Sequence, residues 1–279
     1  MSMYDKRFDR IKYQLYRRAT NDGLLRFHVT DNNMEELAQL DSVTAKELYI
    51  SGVTQKSLEY FVKHHAYKFL AISFTHCNSI NDFSCLECLE NLEYVIIDWN
   101  TKIDRLWNMK NNHRLRGICL EDCKKVVSFD EIKDAPYLEE LILQESVNSM
   151  CSSNKWYVND LTGFASSKTI KRLGLLISGV KEYGIEPLLN MAQLEVLHIN
   201  CSLFSLEEFA ELNAVLKHTD ITPNKPFYLG ATENEPALVV GGHRMVKNNS
   251  PKLLEYQRIW DLIISKHQQL TTDNKQQTD

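Results

Sequence analysis

Four cysteines have the residue type and spacing that could support metal or redox chemistry. Two residues separate Cys85 from Cys88, and three separate Cys119 from Cys123. Cysteine thiolates at such spacings bind Zn²⁺ or form exchangeable disulfides. Both activities require the thiols to converge, so the elements that carry the four cysteines decide whether either is possible.

A catalytic site has less support in the sequence. The nine histidines show no H-E-x-x-H spacing, and we find no nucleophile elbow, kinase set or dinucleotide fingerprint. Gly241-Gly242-His243-Arg244 lacks the strand and helix that would make it a phosphate cradle. Asp160 and His218, with His243, are the candidates for an active site in the C-terminal region or in an insertion, and no spacing joins them. The sequence therefore predicts no catalytic residue, cofactor or metal, with an enzyme kept as an alternative.

An apolar pattern recurs along the chain with a nearly constant period. The stretch LRGICLEDCKKV places Leu115, Ile118, Leu120, Cys123 and Val126 at short alternating intervals, as in a buried strand. Related stretches occur before and after it. Their central residues are spaced by 23, 22, 25, 23, 23, 32 and 24 positions, and are Leu25, Leu48, Leu70, Val95, Ile118, Leu141, Leu173 and Leu197.

This pattern resembles the leucine-rich repeat family, whose unit is L-x-x-L-x-L-x-x-N/C-x-L over roughly 20–29 residues. Asn100 and Cys123 occupy the Asn/Cys position, and Cys201 lies near it. The resemblance covers residues 24–217, with an insertion at 146–160. It implies an α/β leucine-rich repeat solenoid, or horseshoe. Parallel strands would line its concave face, and helical or irregular return segments its convex face.

The two ends of a solenoid need caps, because terminal repeats would otherwise expose core. Apolar and polar residues alternate before the turn sequence Asn21-Asp22-Gly23, with Ile11, Tyr13 and Leu15 on one side. This pattern favours a hairpin strand in residues 1–23 as the N-terminal cap. A helix over residues 4–18 is the alternative. Residues 218–267 are predicted to form the C-terminal cap, with a helix over 251–267 that Ser250 caps. Residues 268–279 are polar and predicted to be a disordered tail.

The repeat register separates the four cysteines. Cys85 and Cys88 fall in a return segment on the convex side, whereas Cys119 faces the concave side and Cys123 occupies the buried turn position. We therefore predict structural thiols, and leave open a redox role for Cys85 and Cys88.

The same register predicts which side chains face a partner. Acidic residues recur on three adjacent strands, which lie about 4.8 Å apart, so their carboxylates are expected to share one patch. Aromatic and apolar residues lie beside them, as in the anchors of many interfaces. The alternative is that these carboxylates only solvate an exposed sheet. The predicted partner-binding residues are Tyr49, Phe74, Tyr94, Ile96, Asp98, Trp99, Glu121, Asp122, Glu140, Ile142, Gln144, Glu145 and His198.

Composition limits the partner and the compartment. The 279 residues carry a net charge of −5, which does not favour nucleic acid or an anionic membrane as ligand. Residues 1–18 are charged and do not resemble a secretion signal, and the cysteine number is odd, at seven, so a cytoplasmic location is expected. The sequence thus favours a monomeric, non-enzymatic scaffold for a protein partner, a basic one by charge. An immunity-type inhibitor of a basic toxin is a sharper alternative.

Overall fold

The computed structural model describes residues 24–146, 155–232, 235–242 and 244–276. Within these ranges a nine-stranded parallel sheet is built in chain order, and two short strands, β7 (Tyr157–Val158) and β9 (Gly179–Val180), pair separately. The strands of the main sheet are β1 (Leu24–His28), β2 (Glu47–Ser51), β3 (Ala71–Thr75), β4 (Tyr94–Asp98), β5 (Gly117–Glu121), β6 (Glu140–Gln144), β8 (Arg172–Leu176), β10 (Val196–Ile199) and β11 (Asp220–Thr222).

The strand register confirms the leucine-rich repeat solenoid and corrects one unit of it. Leu48 pairs with Ile72, and Ile72 with Val95, so Ile72 is the central inward residue of the third unit rather than Leu70. Leu70 precedes the strand, where its carbonyl accepts hydrogen bonds from the amides of Glu93 and Tyr94. The error arose because Leu70 and Ile72 are two residues apart, and side chains two apart share one face of a strand.

The inward residues of the nine strands of the main sheet form one continuous core with the return segments. Each strand contributes two of them, separated by one outward residue, except the short β11, which contributes Ile221 alone. The sequence did not predict β11, because a single inward isoleucine followed by Pro223 gives no periodic signal.

The return segments are short helices and irregular turns. The α-helices are α1 (Gln55–His64), α2 (Thr162–Ser166), α3 (Glu186–Leu189), α4 (Leu206–Val215) and α5 (Lys252–Gln276), and the described residues also form several 3₁₀ helices. Ser205 and Glu208 form a capping box at the start of α4, and Thr54 and Ser57 form another at α1. The buried side chains of α1 and α4 pack against the core on its convex side.

The insertion contributes one strand of a separate two-stranded sheet. Trp156, just before that strand, is buried in the main core, and its indole N–H donates to the carbonyl oxygen of Val126 at 2.9 Å. β7 then pairs with β9, which explains the longer spacing of this unit. Residues 147–154 of the insertion, and the predicted cap formed by residues 1–23, lie outside the described residues.

The C-terminal region forms a small antiparallel sheet and a long helix. The sheet contains β12 (Phe227–Tyr228), β13 (Ala237–Val239) and β14 (Arg244–Val246). α5 packs against α4 and buries Trp260 in the main core. The helix extends to Gln276, so residues 268–276 are helical and not the disordered tail expected from their polarity; no proline or glycine interrupts the helix there. Of the helices described, α5 included, none has the length and apolar character needed to cross a membrane.

Candidate partner-binding face

The candidate site is the sheet face that points away from the core, which is the concave face of the solenoid. Parallel pairing in register stacks its side chains into rows that cross the strands. The first row comprises Glu47, Ala71, Tyr94, Gly117, Glu140, Arg172, Val196 and Asp220. The middle row comprises Arg26, Tyr49, Ser73, Ile96, Cys119, Ile142, Gly174, His198 and Thr222, and the last comprises His28, Ser51, Thr75, Asp98, Glu121, Gln144 and Leu176.

Phe74 was wrongly assigned to this face. It pairs with Ile50 and Ile97, lies in the inward row and is fully buried. Its ring packs edge-on against Phe83 in the core, with 5.2 Å between ring centroids. The assignment failed because Phe74 stands two residues after Ile72, so the correct central residue places both inside.

The centre of the middle row is a buried apolar cluster. Ile96, Cys119 and Ile142 make a small cluster of their own, with exposed fractions of 1%, 2% and 2%. His198 in the same row is also buried. The register placed these residues on the concave face as predicted, but Ile96, Ile142 and His198 present almost no surface to a partner in this state.

Within the described residues, Asp122, Glu140 and Glu145 of the predicted acidic patch have partners from the chain itself. Lys124 Nζ lies 3.4 Å from Asp122 Oδ1, and the guanidinium of Arg172 pairs with the Glu140 carboxylate. Ser178 Oγ donates to both carboxylate oxygens of Glu145, at 2.9 and 2.8 Å. Arg172 and Ser178 come from the repeat next to that of Glu140 and Glu145. The sequence alone did not show that these carboxylates have partners within the chain.

Two neighbouring side chains of the first row, Glu140 and Tyr94, have raised pKa values. Burial raises the pKa of Glu140, and the adjacent Arg172 opposes that rise. Burial, and then the charge of Glu140, raise the pKa of Tyr94. The Tyr94 ring lies over Gly117, where a Cβ would meet Tyr94 Cδ1 at 2.6 Å. Gly117 therefore gives Tyr94 the room to lie along the first row.

A row of left-handed residues borders the face at the ends of four strands. One residue after β2, β3, β4 and β5, the backbone φ angles are +76°, +53°, +58° and +53°; the residues are Gly52, His76, Trp99 and Asp122. Their register is fixed, since the amides of His76, Trp99 and Asp122 each donate to the last residue of the next strand. We call these four residues the left-handed row.

Trp99 is the most prominent side chain of this row. Its side chain is 51% exposed, and its ring packs on that of His76 with 4.8 Å between centroids. Asp98, the preceding residue, is half-buried at the end of β4. Trp99, His76 and Asp98 thus place an indole, an imidazole and a carboxylate together at the strand-end edge of the face.

The remaining predicted residues lie around this edge and at the N-terminal end of the face. Gln144 and Glu145 are half-buried next to Asp122, and the buried Glu121 ends β5. Tyr49 is half-buried in β2, with the Arg26 guanidinium carbon 5.2 Å from its ring centroid. The sequence did not single out His76, although its position matches those of Gly52 and Trp99 in neighbouring repeats.

The cysteines occupy the separate places that the register predicted. Cys85 and Cys88 are in a 3₁₀ helix on the convex side, Cys119 is on the concave face, and Cys123 is buried at the turn. Burial raises the pKa of Cys85 to about 12, which disfavours its thiolate. Across the described residues no three histidine, cysteine or acidic side chains cluster as metal ligands would.

The residues considered for catalysis do not assemble within the described ranges. Asp160 accepts hydrogen bonds from the amide and hydroxyl of Thr162 at the start of α2, the amide at 2.8 Å. His218 is exposed in the turn before β11. His243 lies outside the described residues.

Comparisons with known proteins identify no family for this chain. No family model matches the sequence, and no curated protein matches it. Among solved structures, the chain is similar to an internalin, inlF, from Listeria monocytogenes, with 15% identity and a TM-score of 0.44. The match covers 70% of this chain and 50% of the internalin, so the chain spans about half the length of that protein.

Proposed function

We propose that this protein is a non-enzymatic scaffold that binds a basic protein partner at the concave face, with the strand-end edge around Trp99 as the anchor. Nine stacked strands spaced by about 4.8 Å give a face roughly 38 Å across. That length suits an interface of ordinary size, near 800 Å² on each partner.

The observation that carries the proposal is the conformation of Trp99. A residue with a side chain costs roughly 1–2 kcal/mol more in the left-handed backbone region than in the right-handed region. Glycine avoids that cost, as at Gly52 in the second repeat. Trp99 instead places a large ring there and leaves half of it in water. Folding gains little from that arrangement, whereas a partner would gain an apolar anchor of a kind common at interface centres.

The charge around Trp99 supports a basic partner. Asp98 and Glu145 are half-buried carboxylates near this edge, and an exposed indole attracts a guanidinium or ammonium group through its π face. Residues 24–279 carry 26 basic and 34 acidic side chains, a net charge of −8. A partner rich in arginine or lysine would therefore be attracted over a distance as well as in contact.

A cytoplasmic, monomeric protein without a cofactor is part of this proposal. The six cysteines of the described residues are thiols rather than disulfides, which supports a reducing compartment. The separate placement of the thiols and of Asp160 and His218 supports binding rather than catalysis.

The test compares two glycine substitutions in exposed aromatic residues with left-handed backbones. Trp99→Gly removes the anchor, and Tyr183→Gly is the matched control, since Tyr183 has φ +63°, is exposed and follows β9 on another part of the molecule. Partners captured from lysate with the wild-type protein would be identified, purified and titrated against all three proteins by calorimetry.

We expect Trp99→Gly to weaken binding at least about tenfold and Tyr183→Gly to leave it unchanged. The wild-type affinity should fall as salt rises from 50 to 500 mM, because exposed charges are screened. Equal affinity of the wild type and Trp99→Gly would overturn the proposal. Glu121→Lys is a poor probe, because Glu121 is buried and its reversal would disturb the fold.

A further inference from the structure

The motif Cys85-x-x-Cys88 lies on the convex side of the solenoid, away from the proposed partner-binding face. Both cysteines belong to the 3₁₀ helix Ser84–Cys88 and line an open groove of about 580 Å³, which α1 borders on its other side. Cys85 is half-buried in that wall, and Cys88 is exposed. Two thiols therefore share one helical turn and one groove that a small molecule can enter.

The 3₁₀ conformation brings the two side chains to the same side of the backbone. Such a helix has three residues per turn and rises about 2 Å per residue, so residues three apart eclipse each other with their Cα atoms about 6 Å apart. Disulfides join cysteines whose Cα atoms are about 4.4–6.8 Å apart. The Cys88 thiol already folds back over this turn, since it donates to the carbonyl oxygen of Cys85 at 3.0 Å. A bond between the two sulfurs therefore requires side-chain rotation and no rearrangement of the backbone.

The surroundings of the two thiols give them different roles. Burial, and then the charges of Cys88 and Glu59, raise the pKa of Cys85 to about 12. The Cys85 thiolate is therefore rare, and attack on an external disulfide falls to the exposed Cys88. Once Cys88 has reacted it carries no charge, so one of the causes that raise the pKa of Cys85 is removed. Reaction at Cys88 thus prepares Cys85 to react second.

We propose that Cys85 and Cys88 are a reversible dithiol–disulfide pair, oxidised by a low-molecular-weight disulfide of the glutathione type. Cys88 Sγ attacks one sulfur of that molecule, its S–S bond breaks, and one thiol leaves with the Cys88 proton. Cys85 Sγ then attacks Cys88 Sγ, and the second thiol leaves with the Cys85 proton. Two cysteine sulfurs are oxidised while the external disulfide is reduced to two thiols. This modification site does not depend on the proposed function.

Cys119 and Cys123 provide an internal control for this pair. They are almost as close in sequence, but Cys119 lies on the concave face and Cys123 in the core at the following turn. Both are buried. The folded chain should therefore oxidise the pair on the convex side and leave Cys119 and Cys123 reduced.

A redox titration of the reduced full-length chain tests the pair. The protein would be brought to equilibrium with oxidised glutathione at increasing concentration and reduced glutathione held at 0.1 mM. It would then be quenched with acid, alkylated and digested with a glutamate-specific protease. Glu87 lies between the two cysteines, so cleavage there separates Cys85 from Cys88 unless a disulfide joins them. Mass spectrometry would quantify the joined fragments and the fragments that carry glutathione.

We expect the disulfide between Cys85 and Cys88 to exceed the glutathione adduct on Cys88 at least about tenfold, because a neighbouring thiol acts at an effective concentration in the millimolar range or above. Dithiothreitol should restore both thiols. A Cys88 adduct that persists without closure, or a disulfide between Cys88 residues of two chains, would overturn the proposal. Oxidation of Cys119 and Cys123 at the same glutathione ratio would also overturn it, because pairing would then follow opening of the fold.

Two single substitutions test the order of attack. In Cys85→Ser the reaction should stop at the glutathione adduct on Cys88. In Cys88→Ser, Cys85 should form its adduct at least about tenfold more slowly than Cys88 does in Cys85→Ser, because Cys85 is half-buried and rarely ionised. Equal rates in the two variants would overturn the order in which the cysteines react. The titration of the wild type requires neither variant, so a variant that fails to fold leaves the proposal open to refutation.

Discussion

Asn100 illustrates how one side chain connects two neighbouring repeats. Its amide nitrogen donates to the carbonyl oxygens of Cys77 and Ile80, at 2.9 and 3.0 Å, and its amide oxygen accepts from the amides of Lys102 and Ile103, at 2.8 and 3.0 Å. The side chain is fully buried. All four hydrogen-bonding capacities of the Asn100 amide are satisfied, and its bonds join the turn after β3 to the turn after β4.

We expect Asn100→Ala to lower the free energy of unfolding by about 3–5 kcal/mol, because it removes four hydrogen bonds at a buried site, including those of the Ile80 carbonyl and the Ile103 amide. Urea unfolding followed by circular dichroism would measure the loss. Asn78→Ala is the control, since Asn78 is exposed and its side chain accepts a single bond from Thr101. A loss at Asn100 no larger than that at Asn78 would contradict the role assigned to the network.

The pair of Glu140 and Arg172 predicts a pH dependence. Burial raises the pKa of Glu140 in the folded protein, and Arg172 opposes the rise. In Arg172→Met the opposition is lost, so the folded-state pKa of Glu140 should rise further above its unfolded value. A carboxyl with a raised folded pKa binds its proton more tightly in the native state, so the stability deficit is largest above that pKa and shrinks as pH falls through it.

We therefore expect Arg172→Met to be less stable than the wild type by about 1–3 kcal/mol at pH 7, and by less at pH 5. The value is below that for a fully buried pair because the Arg172 side chain is 31% exposed. The double variant Glu140→Gln, Arg172→Met should lose this difference between the two pH values. A deficit that grows toward pH 5 would contradict the assignment.

Among the elements, the strands were predictable because each carries its own period-two signal. The unit of β3 shows the limit of that signal. Leu70 and Ile72 both fit an inward position, and only pairing with Leu48 and Val95 selects Ile72. Because Leu70 was taken as the inward residue, Phe74 was predicted to lie on the concave face. Cys77, by contrast, could have been found at the Asn/Cys position, since it stands 23 residues before Asn100 and 46 before Cys123.

Two of the described return helices, α1 and α4, begin at capping boxes, which stabilise helices too short to be stable alone. Ser205 accepts a hydrogen bond from the amide of Glu208 at 3.1 Å, and the Glu208 carboxylate accepts one from the amide of Ser205 at 2.8 Å. Because α4 packs on the last repeat and on α5, its start also positions the C-terminal cap.

We expect Ser205→Ala to lower the free energy of unfolding by about 1 kcal/mol, the usual cost of losing an N-cap. Ser265→Ala is the control, since Ser265 lies within α5, is exposed and donates only to the Asp261 carbonyl within its own helix. That change should stay within about 0.5 kcal/mol. Chemical unfolding of both variants would decide, and equal losses would mean that the capping box contributes nothing specific.

At the scale of the whole molecule, contacts between repeats determine the surface that a partner meets. The sequence predicted which side chains face outward, but not which of them are covered or paired. Arg172 reaches Glu140 because β8 is the neighbour of β6 in the sheet, even though 32 residues separate the two side chains. Ile96 and Ile142 meet around Cys119 for the same reason. Pairing of this kind depends on strand neighbours and side-chain reach, which no single repeat encodes.

Each repeat of a solenoid packs chiefly on its neighbours, so a loss of stability at one end is expected to affect the nearest repeats most. Trp260 in α5 belongs to the main core, with 6% of its surface exposed. We expect Trp260→Ala to lower the free energy of unfolding by about 3 kcal/mol and to increase amide exchange first in α4, β10 and β11. Exchange in β4 and β5, far from this end, should change little.

Leu262→Ala provides the control in the same helix, because Leu262 is 70% exposed and its loss should stay within about 0.5 kcal/mol. Hydrogen exchange read by mass spectrometry, strand by strand, distinguishes a local opening from a global one. Uniformly faster exchange in every strand would mean that the solenoid unfolds as a single unit. Faster exchange that fades from β11 toward β4 would mean that α5 seals the last repeats, and that the strand-end edge around Trp99 is stable independently of that seal.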